Sequence, residues 1–389
     1  MPYGMLPIPN GKYKGGVPLK KLSAVRKIAV WLAAVAVTGS LAGCAGTNEG
    51  DQPAWMDQPA AEKTGVTLNV YNWGEYIDDE TYRVNEAFTH LTGIEVNYKI
   101  FENNESMYAL LSSGAADYDV VFPSDYMVGK MINEGMLEKL NFDNIPNFQY
   151  IDEQFKNPVY DPTNEYSVPY TWGTVGIFYN TDMVDEEDLQ QGWNILWNEK
   201  YKGQILMFDN PRDAFGIAQK KLGLSMNSTN PDDWQAAYEE LVAQKPLVQA
   251  YVMDQIFDKM ANNEAALAPY YSGDGIVMLE ENDKLDYFVP EEGTNRFVDA
   301  MCVLKDSPHK TEAEQYINFL CSTEVAKANA EYIGYSTPQT EARKQLDPEI
   351  GENPDFYPPE EVLSKTEVFI TLPDEINELQ DNLWRQLKK

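Results

Sequence analysis

Two short segments set carboxylates beside aromatic rings: Tyr71-Asn72-Trp73-Gly74-Glu75-Tyr76 and Pro123-Ser124-Asp125-Tyr126. A further acid, Asp299, sits inside the apolar run Phe297-Val298-Asp299-Ala300-Met301. A lone carboxylate in such a strand needs a partner to be tolerated, which marks Asp299 as functional. Acids mixed with rings could line a site for a cation or a sugar. A carboxylate pair could also serve a glycoside hydrolase, although nothing in the pattern assigns an acid and a base. Other chemistries lack raw material. The two histidines, His90 and His309, are far apart and have no second ligand at metal spacing. Three cysteines, Cys44, Cys302 and Cys321, are too few for a disulfide framework or a thiolate metal site. Nucleophile–imidazole catalysis is therefore disfavoured, and no metal or cofactor is expected.

The elements that must carry these residues are α/β in pattern. A strand is predicted at 67–72, a helix at 79–91 capped by Asp78 and ended by Gly93, and an alternating strand with Ile94, Val96, Tyr98 and Ile100 inward. A helix near 105–112 leads to an apolar strand at 118–122. This β-α-β-α-β order implies a parallel sheet, with ligands outside the carboxyl ends of its strands. Both ring-and-carboxylate segments fall at such ends. Further strands are predicted at 175–179, 205–208, 265–270, 287–289 and 297–304. Helices are predicted at 212–222 and at 231–242, the latter capped by Asn230. Thr311 to Glu314 reads as a capping box, and the chain closes in an amphipathic helix with Ile376, Leu379, Leu383 and Leu387 on one side. The pattern gives two α/β lobes joined by crossings near 170–176 and 299–305, a hinge geometry suited to clamshell closure.

Length, charge and the N-terminal pattern fit an exported two-domain protein. The 389 residues suggest two domains. Thirty basic against sixty-two acidic residues give a net charge of −32, a surface that repels nucleic acid and attracts cations. Lys20, Lys21, Arg26 and Lys27 precede the apolar run 28–37, and Leu41-Ala42-Gly43-Cys44 follows. This is a signal peptide over residues 1–43, with an apolar stretch too short to span a bilayer comfortably. Residues 1–18 do not read as part of it, and translation is expected to start at Leu19. Residues 44–65 are read as a flexible linker, in which Trp55 has no assigned role.

Several motifs, in order along the chain, carry a resemblance. Besides the two segments above they are Tyr166-Ser167-Val168-Pro169-Tyr170-Thr171-Trp172-Gly173, Tyr201-Lys202-Gly203 and Ile333-Gly334-Tyr335-Ser336-Thr337-Pro338. From about Leu68 to about Pro359 the chain resembles bacterial spermidine/putrescine-binding proteins, the receptors of polyamine ABC importers. Leu-Ala-Gly-Cys likewise resembles a bacterial lipobox, which implies cleavage before Cys44 and a lipid on its sulfur.

The resemblance implies a two-lobe periplasmic-binding-protein fold of type II with a hinge and an interlobe cleft. Lobe 1 would span 66–172 plus about 300–340, lobe 2 would span 173–299, and helices in 341–389 would pack across both. It implies a monomer outside the cytoplasmic membrane, lipid-anchored or periplasmic, that hands polyamines to a permease. It also implies polyamine contacts from Trp73, Glu75, Tyr76, Ser124, Tyr126, Asn210, Asp213, Tyr271, Asp274, Phe297, Asp299 and Tyr335. Asn210 stands where the family has an acid, and Tyr271 and Phe297 stand where it has tryptophans. Tyr270 could take the place of Tyr271 after a one-residue shift. Asp274 matches the acid of putrescine-type members, Met253 falls where some members have serine, and a C-terminal ligand-contacting glutamine has its nearest position at Phe369. These exchanges keep the number of carboxylates but move one, so putrescine is expected to bind about as well as spermidine. A flexible polycation needs separated carboxylates and aromatic faces, and this chain has 24 tyrosines and 8 tryptophans to supply them. Another organic cation stays open as the ligand, and a glycoside hydrolase as the function.

Overall fold

The computed structural model describes residues 53–389. The signal peptide, Cys44 and the first part of the linker lie outside these residues. Among the described residues nine strands form one sheet in the order β2 (Glu95–Phe101), β1 (Thr67–Trp73), β3 (Val120–Val121), β9 (Arg296–Val303), β4 (Ser167–Asn180), β7 (Leu267–Tyr271), β5 (Ile205–Phe208) and β6 (Val248–Val252), with β8 (Leu285–Phe288) also paired to β4. Strands β1 (Thr67–Trp73), β2 (Glu95–Phe101) and β3 (Val120–Val121) pair in parallel. Between them lie helices α1 (Val84–Thr92) and α2 (Asn104–Ser112), and α3 (Asp125–Asn133) follows β3. This is the β-α-β-α-β order expected.

Strand β4 (Ser167–Asn180) is the longest, at fourteen residues. Its first half pairs antiparallel with β9 (Arg296–Val303), through Thr174. From Val175 onward it pairs with β7 (Leu267–Tyr271) and then β8 (Leu285–Phe288). Strands β5 (Ile205–Phe208) and β6 (Val248–Val252) complete the second half of the sheet in parallel. Helices α4 (Pro211–Lys221), α5 (Pro231–Gln244), α6 (Gln255–Ala261) and α7 (Ser272–Glu281) accompany them. Helices α8 (Lys310–Leu320), α9 (Thr323–Ile333) and α10 (Asp374–Leu387) follow β9.

The buried side chains form two cores. Leu68, Val70, Phe88, Phe122, Val168, Trp172, Met301 and Tyr316 belong to the first. Val175, Phe178, Phe208, Phe215, Trp234 and Leu267 belong to the second. The β4 passage between cores falls at 172–175, as expected. The return passage lies ahead of Val298, which is already in the first core, and not at 299–305. A third, unanticipated passage runs through 366–371. There the Glu367 amide donates to the Thr294 carbonyl and the Arg296 amide to the Glu367 carbonyl, both at 2.9 Å. Beyond β9 the chain serves both cores: Leu346, Ile350 and Phe356 pack in the first, and Leu372, Ile376, Leu383 and Leu387 in the second.

Other local readings change for identifiable reasons. Asp78 caps a turn, accepting from the amides of Glu80, Thr81 and Tyr82. Helix α1 therefore starts five residues later than expected, after Arg83 in the left-handed region (φ 60°). Gly93 does end it, with φ 72°. A side chain there would collide with the Glu62 carbonyl. Ile100, expected inward, is 60% exposed because β2 is an edge strand. The capping box at Thr311 does not form. Glu314 is buried and accepts from Asn141 N and Asn144 Nδ2 and pairs with Lys310, so a tertiary partner has taken the side chain the cap would use.

Residues 53–65 are not a free linker. Trp55 is 3% exposed, and its Nε1 donates to the Tyr82 carbonyl at 2.8 Å. Its ring meets His90 edge-on at 5.2 Å. The Ala61 and Thr64 amides bond the carbonyls of His90 and Gly93. Cys302 and Cys321 are both buried free thiols.

Candidate functional site

Strand register assembles the site. Asp299 lies opposite Thr171 on β4 and forms a bridge with Ser124 just beyond β3. Its carboxylate is 5% exposed and is held from both sides. Ser124 Oγ donates to Oδ1 and the Tyr76 hydroxyl to Oδ2, each at 2.6 Å. Tyr76 is itself fixed: its hydroxyl lies 2.8 Å from Thr171 Oγ1, and its carbonyl accepts from the Tyr170 hydroxyl at 2.7 Å. Burial pushes the Asp299 pKa up from the ordinary carboxylate range, and the two hydroxyl donors oppose that shift.

A second carboxylate comes from the first turn of α4. Asp213 is 3% exposed, and its Oδ2 accepts from the Tyr271 hydroxyl at 2.7 Å. Its Oδ1 is buried and makes no hydrogen bond, with the Asn295 side chain nearby, an open acceptor of the kind a ligand ammonium would fill. Burial raises its pKa to about 6, against the Tyr271 hydrogen bond and the nearby Arg212 charge. Asn210 caps α4 by accepting from Arg212 N at 2.9 Å, and its Nδ2 lies 3.4 Å from the Tyr271 hydroxyl. It therefore braces the site instead of adding charge. The third carboxylate, Asp274 in the first turn of α7, is raised to about 7 by burial, opposed by a hydrogen bond from Tyr335.

Aromatic rings join the three acids. Tyr76 meets Tyr335 at 5.2 Å, Tyr335 meets Phe297 at 5.9 Å, and Phe297 meets Tyr271 at 5.4 Å, each edge-to-face. Trp73 lies 6.5 Å from Tyr76, its Nε1 bonded to the Phe122 carbonyl at 2.8 Å. A side chain at Gly273 would come within 2.3 Å of the Tyr335 ring, so this close approach depends on glycine. Tyr271, and not Tyr270, faces Asp213 and Phe297; the Tyr270 hydroxyl points to Asp254 at 3.4 Å. Among the described residues, no ion pair includes Asp213, Asp274 or Asp299.

Trp73, Tyr76, Ser124, Asp213, Tyr271, Asp274, Phe297, Asp299 and Tyr335 thus form one connected set, with Asn210 bracing it. Tyr126 lies at its side, bonded to Glu105 Oε1 at 2.9 Å. Glu75 is exposed on the turn after β1, with φ 52°, outside the connected set. Phe369 is buried with its ring 4.5 Å from the Arg212 guanidinium. Sequence reasoning missed Thr171 and Tyr170, which hold Tyr76. Thr171 stands in a motif already singled out, and pairing β4 with β9 would have placed it opposite Asp299.

Two α/β cores joined by crossing strands, with buried carboxylates and rings where they meet, define a solute receptor. The bacterial extracellular solute-binding protein family matches residues 84–358, and the chain belongs to that family. These are transport receptors and not enzymes. The spermidine/putrescine-binding periplasmic protein of Salmonella typhimurium is 39% identical over 304 residues, covering 77% of this chain and 86% of the relative. The putrescine-binding periplasmic protein SpuD of Pseudomonas aeruginosa is 29% identical over 374 residues, 92% of this chain and 97% of the relative. Among solved structures, the substrate-binding protein PotD of a spermidine/putrescine ABC transporter from Streptococcus pneumoniae matches with a TM-score of 0.77 and 37% identity. That match covers 83% of this chain and 98% of the other. The TpPotD lipoprotein of Treponema pallidum matches with a TM-score of 0.73 and 25% identity, over 82% and 99%. The mixed α/β solute-binding fold is shared with both.

Proposed function

We propose that this chain is the polyamine receptor of an ABC importer, capturing spermidine or putrescine between its halves and delivering it to a membrane permease. One observation carries the reading. Three carboxylates, the buried Asp213 and Asp299 and the half-buried Asp274, line one aromatic surface without an ion pair among the described residues, and one oxygen of Asp213 makes no hydrogen bond. A polyammonium chain supplies the missing charges at separated points, and its methylenes suit the faces of Trp73, Tyr271, Phe297 and Tyr335.

On this reading lobe 1 spans 66–172 plus about 298–340, lobe 2 runs from 173 to about 297, a shorter stretch than the expected 173–299 because Val298 already packs in the first core, and the C-terminal segment binds both. Closure brings Asp299 toward Asp213 and Asp274. The receptor works as a monomer, held at the outer face of the cytoplasmic membrane by a lipid on Cys44. Because Asn210 spends its oxygen capping α4, the lobe 2 carboxylates are Asp213 and Asp274, an arrangement that lets putrescine bind about as well as spermidine. Calorimetry of delipidated protein with putrescine, spermidine and spermine tests both statements. Absence of binding to every polyamine would sink the function. A spermidine preference above about a hundredfold, about 2.7 kcal/mol, would sink the placement of the charges.

A further inference from the structure

The third passage between the cores, residues 366–371, is attached unevenly. On the lobe 2 side it is bound many times. Glu367 pairs with Lys220 and accepts from Ser225 Oγ at 2.5 Å. Asn227 Nδ2 donates to the Val368 carbonyl at 2.9 Å, and Asn227 Oδ1 accepts from Ile370 N at 3.1 Å. Arg212 Nη2 reaches the Ile370 carbonyl at 3.3 Å, and its guanidinium covers the Phe369 ring. On the lobe 1 side, the hydrogen bond that holds the strap comes from Thr371, whose Oγ1 donates to the Tyr126 carbonyl at 3.0 Å. The hydroxyl lies against α3 beside Gly129, where an added side chain would meet it at an ordinary contact distance of 3.4 Å.

Both attachment points adjoin the carboxylate site. Arg212 precedes Asp213 on α4, and Tyr126 lies two residues after Ser124, which holds Asp299. We infer that Thr371 is a positioning residue for ligand capture: its hydroxyl latches the strap, fixed to lobe 2, onto α3 of lobe 1 and so holds the closed arrangement that traps the ligand. Val368 of the strap also packs against the first core, but the exposed Thr371 hydroxyl suits a contact that is made and broken as the lobes move, since one exposed hydrogen bond contributes little alone but acts directly on the separation of the lobes.

The inference rests on the polyamine reading, and the test separates the two. Putrescine and spermidine release is followed by stopped-flow tryptophan fluorescence in wild type, Thr371→Val and Thr371→Ser. Thr371→Val keeps size and removes the hydroxyl; Thr371→Ser restores it. The valine variant is expected to release ligand about three- to tenfold faster with the association rate within twofold, and the serine variant to return to the wild-type rate. The melting temperature of the empty valine variant should stay within about 2 °C, because the residue is exposed. Off-rates within 1.5-fold of wild type in the valine variant, or failure of serine to rescue, overturn the latch and leave the polyamine reading standing. A wild-type protein that binds neither polyamine overturns both.

Discussion

Replacing Asp299 by asparagine changes one charge and almost no volume, and its consequence can be worked through from its partners. In the native site both carboxylate oxygens accept hydroxyl hydrogens, from Ser124 and Tyr76 at 2.6 Å. An asparagine presents one oxygen and one NH2 group, so one hydroxyl must turn. The surroundings allow it. Ser124 Oγ already accepts from Asn104 Nδ2 at 3.1 Å, and Tyr76 can redirect its hydrogen to Thr171 Oγ1 at 2.8 Å. The empty protein therefore loses about one neutral hydrogen bond, roughly 1 kcal/mol, and is relieved of a buried charge, so its melting temperature should move by only a few degrees. Binding is different. A ligand ammonium entering this pocket would lose water and meet no opposing charge. Removing one partner of a buried, hydrogen-bonded ion pair costs about 2–5 kcal/mol, and at 1.4 kcal/mol per tenfold that is roughly 30- to 4000-fold in Kd. Calorimetry with putrescine and spermidine reads the affinity, and thermal unfolding of the empty variant checks the fold. A Kd within threefold of wild type, in a variant that melts normally, would mean that Asp299 meets no cation.

Asp213 and Asp274, raised to about 6 and about 7, hold protons in the empty protein that the unfolded chain would release near pH 4. The empty protein should thus lose stability as pH rises from about 4 to 7. Polyamine affinity should rise over pH 5.5–8, with protons released on binding near pH 6; calorimetry in buffers of different ionisation enthalpy measures this, and affinity that falls toward pH 8 would contradict it. Gly273→Ala should push the Tyr335 ring aside and weaken polyamine binding about tenfold or more, at roughly 1–3 kcal/mol for overpacking; unchanged affinity would place Tyr335 outside the site. Trp55→Ala should destabilise the protein by about 3–5 kcal/mol, as for other buried tryptophans, and denaturant unfolding without a shift would show that residues 53–65 are not docked.

Much of the scaffold was legible because its signals were local. Asn230 caps α5 by accepting from Asp232 N at 3.2 Å, β5 runs over the expected apolar residues, and Ile376, Leu383 and Leu387 line the buried side of α10. What failed depended on distant partners. Glu314 is claimed by Asn141 and Asn144, more than 160 residues away along the chain. Strand β6 carries no exposed-to-buried alternation strong enough to be read. Trp55 looked unplaced because its pocket is made by Tyr82 and His90 on α1 and the turn before it. The site shows the same division. Its carboxylates and rings were visible in motifs that resemble a known family, whereas the Ser124 brace on Asp299 exists only once the chain beyond β3 lies against β9, and Thr171 can hold Tyr76 only once β4 and β9 are in register. Glu75, visible in the same motif as Trp73 and Tyr76, stays at the exposed turn.

The two buried thiols bear on what the folded part withstands. Burial raises the pKa of Cys302 well above its ordinary value and that of Cys321 to about 12, so neither offers the thiolate that oxidants and exchange partners attack. Cys302 is clamped in β9 between β3 and β4, and Cys321 ends α8. Once folded, residues 53–389 hold no disulfide that a reductant could break and present no thiolate for an oxidant to attack.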